Sequence, residues 1–131
     1  MSFKCMLKVD DKEFRVLSFD VSFDRPVDNF KRPAGEVRGC FIHCTIETTS
    51  DTSLFSWFAN QFQTRKCLFT FSQRDSEQRM REMEFTTAYL VNYRESFQAD
   101  GSDPFLIEMG ISCNDVRIQN VMMASFWPQE F

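Results

Sequence analysis

The one histidine of the chain, His43, decides which nucleophilic schemes are open, because any Ser-His-Asp or Cys-His arrangement must run through it. It sits in an alternating segment, Phe41 to Thr49, where Ile42, Cys44 and Ile46 share one face and Phe41, His43, Thr45 and Glu47 share the other. In that phase His43 points away from Cys40 and Cys44, so no nucleophile on its own strand can meet it. The expected role is a solvated or interface histidine. Cys40-x-x-His43-Cys44 carries zinc-ligand types, but on a continuous strand at roughly 3.3 Å per residue the two cysteines stand about 13 Å apart. The same distance forbids a disulfide between them. Asp20, Asp24, Glu47, Glu82, Glu84 and Glu108 alternate with apolar residues, as a wet strand face does, and nothing selects two of them as an acid pair. There is no Gly-rich phosphate loop, Gly-x-Ser-x-Gly elbow or Cys-x-x-Cys pair. No catalytic residue, cofactor or metal site is expected.

The elements that hold these residues read mainly as strands. Phe3, Cys5, Leu7 and Val9 alternate with Lys4 and Lys8 until Asp10-Asp11-Lys12 breaks the pattern. Phe14 and Val16 then stand in one phase, and Leu17, Phe19, Val21 and Phe23 in the other, which predicts a bulge or bend near Val16-Leu17. Arg25 to Arg38, with Pro26, Pro33 and Gly35 and no period, is the one long loop. After the Phe41–Thr49 strand, Ser50 or Asp51 caps a helix over about 51–62, whose apolar stripe is Leu54, Phe55, Phe58, Ala59 and Phe62, with Trp57 at its edge. Strand character resumes at Cys67, Phe69 and Phe71. Arg74 to Gln78 makes a charged turn, and Arg79 to Phe97 is one bent strand or two strands meeting at Thr86-Thr87. Ala99-Asp100-Gly101-Ser102 is a hairpin turn, Phe105 to Cys113 alternates again, and Asn114-Asp115 turns into Val116 to Val121. Seven to nine strands and one helix in a single domain, 1–131, indicate a β-sandwich or barrel.

Composition narrows the function. A formal net charge of −4 supplies no broad positive field, so nucleic acid is not an expected partner. No stretch of about 18 apolar residues spans a bilayer and no apolar signal region opens the chain, so membrane insertion is not expected and synthesis as a cytoplasmic protein is. Five cysteines, at 5, 40, 44, 67 and 113, fit reduced, buried thiols. Sixteen phenylalanines provide ample core, and some apolar residues are left over: Phe30 in the charged loop, and the tail from Met122 to Phe131. Two readings of that surplus stand, a tail folded back on the barrel and a surface for self-association, where aromatics and methionine are favoured.

Five segments carry a resemblance: Glu36-Val-Arg-Gly-Cys40, Thr45-Ile-Glu-Thr-Thr-Ser-Asp-Thr52, Leu54-Phe-Ser-Trp57, Ser72-Gln-Arg-Asp-Ser-Glu-Gln78 and Ala88-Tyr-Leu-Val-Asn-Tyr-Arg-Glu-Ser-Phe97. In this order, over most of the chain, they resemble blocks of the type VI secretion tube proteins, the Hcp or TssD family. The resemblance implies a small β-barrel with one flanking helix and an extended loop, in subunits that form hexameric rings stacked into a hollow tube. It implies a mechanical role without an enzyme activity: a contractile sheath drives the tube and its spike out of the cell, carrying effectors. The implied partners are other copies of the chain, the spike, sheath and baseplate components, and effectors. The implied location is cytoplasmic, then secreted without a signal peptide. Cys40-Phe41 departs from the glycine and polar residue expected there, and the tail is more apolar than the family pattern. By that likeness Arg25, Asp28, Lys31, Arg32 and Glu36 are candidates for ring stacking. One polar strand face should line the lumen, with Ser18, Asp20, Glu108 and Ser112 as candidates. Leu54, Phe55, Phe58 and Phe62 would pack the helix on the barrel, turning its Ser56–Asn60 side outward. The competing readings are a monomeric β-barrel binding an apolar ligand and a phage-like tail-tube subunit.

Overall fold

The computed structural model describes residues 3–35, 37–47, 51–73, 79–100 and 105–123. Among them the chain forms β1 (Phe3–Val9), β2 (Lys12–Asp24), β3 (Arg38–Glu47), α1 (Ser53–Ala59), β4 (Arg65–Gln73), β5 (Arg79–Phe97), β6 (Phe105–Ile118) and β7 (Val121–Met123). The sheet order is β3-β2-β1-β4-β5-β6-β7, with every pairing antiparallel. β3 also pairs with β6, from Phe41–Ser112 to Glu47–Leu106, so the first six strands close on themselves as a small barrel. Closure satisfies the backbone groups that an open edge would leave exposed.

The two-residue period gives this barrel a packed core. Leu7, Ile42, Ile46, Phe69, Phe85 and Ile111 all point inward and are fully buried. Each such side chain contributes about 1.5–3 kcal/mol by leaving water. Phe19 crosses the interior to meet Phe69 at 4.6 Å and Phe71 at 5.3 Å between ring centroids.

Where a strand changes partner, the period slips. β2 pairs with β1 only as far as Val16, and from Val16 onward it pairs with β3, with a register shift between Val16 and Ser18. That is the expected bulge. It keeps Phe14 and Val16 inward on one side and Phe19, Val21 and Phe23 packed on the core on the other. β5 is likewise one continuous strand bent at Thr86-Thr87. Thr87 has φ 55, and the two residues face the single Lys66 across β4.

Two expectations are corrected. Asn114-Asp115 does not turn, because the β5 ladder runs straight past it, Thr86 opposite Asp115 and Phe85 opposite Val116. Thr87 Oγ1 donates to the Asp115 carboxylate at 3.2 Å, and the Cys113 thiol reaches the carbonyl oxygens of Asp115 and Thr86 at 2.8 and 3.2 Å. Cross-strand pairing outweighs the local turn preference of Asn and Asp. The turn falls at Gln119-Asn120, where Gln119 takes φ 54 and its N–H donates to the Glu82 carbonyl at 3.1 Å. β7 follows.

The helix is shorter and rotated relative to the stripe read from sequence. Ser53–Ala59 is two turns, with Thr52 at the N-cap and the Asp51 carboxylate accepting the Ser53 N–H at 2.6 Å. Leu54 and Trp57, three residues apart, form its buried face, so Trp57 is central and not at an edge. The chain leaves the helix at Asn60, and the returning turn presents the Gln63 carbonyl to the Trp57 indole N–H at 2.8 Å. Phe62 therefore lies beyond the helix and is 78% exposed, while Phe55 and Phe58 flank the Tyr93 ring at 5.5 and 5.8 Å and remain open to solvent. Ion pairs from Lys12 to Asp51 and from Asp10 to Arg65 anchor this connection at the β1–β2 turn. Leu54 and Trp57 thus join the helix to the buried core, against β5. At the other end, where β1 and β5 begin and β4 finishes, a mouth of about 610 Å³ opens between Phe3, Cys5, Phe19, Phe71 and Met83.

Candidate assembly surfaces

The loop between β2 and β3 is a pinched hairpin. Val27 and Pro33 form an antiparallel bridge, and the Ala34 N–H donates to the Pro26 carbonyl at 2.8 Å. Asp28 organises the tip. One carboxylate oxygen accepts the backbone N–H groups of Phe30 and Arg32 at 2.8 and 3.0 Å, and the other accepts Arg32 Nε at 2.9 Å. Its backbone closes the turn as well, with the Asp28 N–H donating to Arg32 and the Lys31 N–H to Asp28. The Arg32 backbone donor, with those of Phe30 and the guanidinium, holds the Asp28 carboxyl below the usual range. Lys31 adopts φ 66, and the Arg32 guanidinium lies 5.1 Å over the Phe30 ring. The rigid tip therefore presents an aromatic and two cations, with Phe30 78% exposed. Of the stacking candidates, Asp28, Lys31 and Arg32 meet at this tip. Arg25 lies exposed at its base, and Glu36 is outside the described residues.

The four lumen candidates come together on one outer face. Ser18 and Asp20 of β2 stand opposite Thr45 and His43 of β3, and Thr45, His43 and Phe41 stand in turn opposite Glu108, Gly110 and Ser112 of β6. β5 extends the face with Asn92 opposite Gly110 and Arg94 opposite Glu108, the last two paired at 3.3 Å. The result is a polar band four strands wide, with a shallow depression of about 260 Å³ among Ser18, Asp20, His43, Thr45, Asn92 and Glu108. His43, Thr45, Asn92 and Arg94 belong to this face, and sequence reasoning did not assign them to it. Phe41 is a large apolar member of this face, with Tyr89 opposite Ser112 and the exposed Val91 beside Asn92. The Phe41 ring lies over Gly110 and meets the His43 ring edge-on at 4.7 Å between centroids. A Cβ on Gly110 would come within 3.0 Å of both that ring and the Asn92 Cβ, so a glycine on the neighbouring strand makes room for the bulk at position 41.

The residues that could have done chemistry are spread by the fold. Glu47 pairs with Arg15 at 3.3 Å, and Glu82 and Glu84 share Arg117 at 2.9 and 3.3 Å on a different face from Glu108. Cys40 and Cys44 point into the core while His43 is exposed. Burial pushes the Cys5 and Cys44 thiols up to about 12, which leaves little thiolate at neutral pH. Among the described residues no group of three His, Cys, Asp or Glu side chains is placed to hold a metal ion, and no helix is long and apolar enough to cross a membrane.

Solved structures share this arrangement over nearly the whole chain. Hcp1 from Flavobacterium johnsoniae is 29% identical, with a TM-score of 0.86 over 93% of this chain and 99% of that one. Hcp1 from Salmonella typhimurium is 14% identical, with a TM-score of 0.71 over 95% and 96%. The sheath-tube complex of an extracellular contractile injection system, PVC, contains a chain 18% identical, with a TM-score of 0.62 over 92% and 88%. Comparison with curated protein sequences finds no match. The family model for Hemolysin coregulated protein Hcp (TssD) matches residues 1–128, so the chain belongs to the Hcp (TssD) family, whose members are structural tube proteins and not enzymes.

Proposed function

We propose that this chain is the inner-tube subunit of a type VI secretion machine: six copies close a ring, rings stack into a hollow tube, and a contractile sheath expels the tube with its spike and effectors. The observation that carries the reading is the full-length likeness to Hcp1, closer in shape than the likeness to the injection-system tube. That difference favours the type VI device over a phage-like tail tube. In this reading the sheath, spike, baseplate and effectors are the partners, nucleic acid is not one, and the chain is cytoplasmic before firing and secreted afterwards.

Two surfaces suit the assembly. A closed ring uses heterologous contacts and leaves one polar face toward its centre. The band of Ser18, Asp20, His43, Glu108 and Ser112 is that face, because it is broad and polar across four neighbouring strands. The hairpin tip with Lys31, Arg32 and Phe30 reaches the next ring, Arg25 stands at its base, and Glu36 is a further candidate from sequence alone. A preorganised tip loses little conformational entropy on docking. Electron microscopy of the Lys31→Glu/Arg32→Glu chain tests the assignment, with rings retained and stacks shortened as the expected result. Unchanged stacks would show that the tip does not join rings. Stoichiometric binding of an apolar ligand by a permanent monomer would favour the open barrel mouth as the working site instead.

A further inference from the structure

We propose that Cys40 and Cys113 are a modification site, a latent cross-strand disulfide that closes when the protein leaves a thiol-reducing compartment. The β3–β6 ladder pairs Ile42 with Ile111 and Phe41 with Ser112. Cys40 and Cys113 are the next residues of the two strands beyond the last pair of that ladder, Phe41 with Ser112, and both are buried, at 1% and 0% exposure. The two thiols are close enough to act on each other's ionisation, which raises the Cys40 pKa and lowers that of Cys113. Facing residues of an antiparallel pair hold their Cα atoms about 4.5–5.5 Å apart, inside the roughly 4.4–6.8 Å range that a disulfide accepts.

The other three cysteines have no such partner. Cys5 faces Val16 and Phe71, Cys44 faces Phe19 and Met109, and Cys67 faces Val9 and Phe85. All five thiols are free in this structure. The selectivity therefore comes from register, since all five lie on or against the same core.

The reaction takes a low-molecular-weight disulfide such as glutathione disulfide as oxidant. Cys40 lies beside Gly39, an exposed residue at φ 68 with open space around it, at the start of β3, where a strand end can fray. Once exposed, the Cys40 thiolate attacks one sulfur of the oxidant and releases one thiol. The Cys113 thiolate then attacks Cys40 in the mixed disulfide and releases the second. The protein gives up two protons and two electrons, and the oxidant becomes two thiols. Burial keeps Cys40 a thiol in the closed strand, so the reaction waits on fraying of the strand end. The bond would lock the pair of strands that closes the barrel, beside the point where the hairpin re-enters it. Its biological setting rests on the tube reading, but its chemistry does not.

The test incubates the purified chain with glutathione disulfide, alkylates remaining thiols after unfolding, and maps the peptides without reduction. The expected product is lighter by two hydrogens, holds a Cys40–Cys113 cross-linked peptide, and melts at a higher temperature than the reduced chain. Cys40→Ser and Cys113→Ser each abolish the cross-link, while a Cys5→Ser/Cys44→Ala/Cys67→Ala chain retains it. A mixed disulfide at Cys5 alone, a cross-link between other cysteines, or five free thiols after prolonged exposure would overturn the proposal. Rings without the cross-link would refute this inference and leave the tube intact, and the cross-link in a chain that never forms rings would do the reverse.

Discussion

Replacing Trp57 by alanine should cost far more stability than replacing Phe62, although both are aromatic and both belong to the segment that looks like one helical stripe. Trp57 is 1% exposed and its indole N–H is satisfied by the Gln63 carbonyl at 2.8 Å. Removing a buried tryptophan loses its transfer free energy and leaves a cavity, together about 3–5 kcal/mol. A domain of this size has a total stability of about 5–15 kcal/mol, so Trp57→Ala removes a large share of it. With a urea slope near 2 kcal/mol/M, the midpoint should fall by about 2 M. Phe62 lies outside the helix at 78% exposure, and Phe62→Ala should stay within about 0.5 kcal/mol. The assay is equilibrium urea unfolding followed by far-UV circular dichroism, at one protein concentration and with parent and variants in the same oligomeric state, because association adds to apparent stability. Equal losses for the two variants, or less than about 1 kcal/mol for Trp57→Ala, would refute the rotated helix and its seat on the barrel core.

Gly110→Ala should destabilise by about 1–3 kcal/mol in thermal or urea unfolding, since the new methyl meets the Asn92 Cβ and the Phe41 ring at 3.0 Å. In a Phe41→Ser background the penalty should shrink, and a double-mutant cycle showing no coupling would exclude the ring-over-glycine contact. The hairpin tip should keep its order as pH falls through the ordinary Asp value of 3.8 and lose it only below that. The Asp28 carboxyl is depressed, so its contribution is complete above the unfolded pKa and disappears as pH drops through the folded one. Amide chemical shifts of Phe30 and Arg32 report this directly, and Asp28→Asn should flatten their titration. A midpoint at or above 3.8 would contradict the hydrogen-bond count at that carboxylate.

The inward and outward sets of the strands are legible in sequence wherever the period of two runs unbroken. Ile42, Cys44 and Ile46 against Phe41, His43 and Thr45 is the clearest case, and the slip at Val16-Leu17 reads as a bulge because a change of phase has no cheaper explanation. Two kinds of information are absent. Cross-strand register depends on contacts distant in sequence, so nothing in the chain alone could place Ser18 beside Thr45 and Glu108, or add His43, Asn92 and Arg94 to that face. Helix length depends on where a tertiary contact ends it. Leu54 to Phe62 fits a three-turn stripe equally well until the Trp57 indole claims the Gln63 carbonyl and forces the exit at Asn60. The Asp28 tip was within reach. An Asp followed by Asn29 and a loop without periodicity is an Asx-turn signal, and it passes unnoticed when the segment is read only for charge.

Negative-stain electron microscopy of the purified chain, supported by light scattering, tests the central claim most directly. Open-centred rings of six subunits that stack end to end at higher concentration are the predicted result. A single species of about 15.5 kDa at every concentration, without rings, would contradict it.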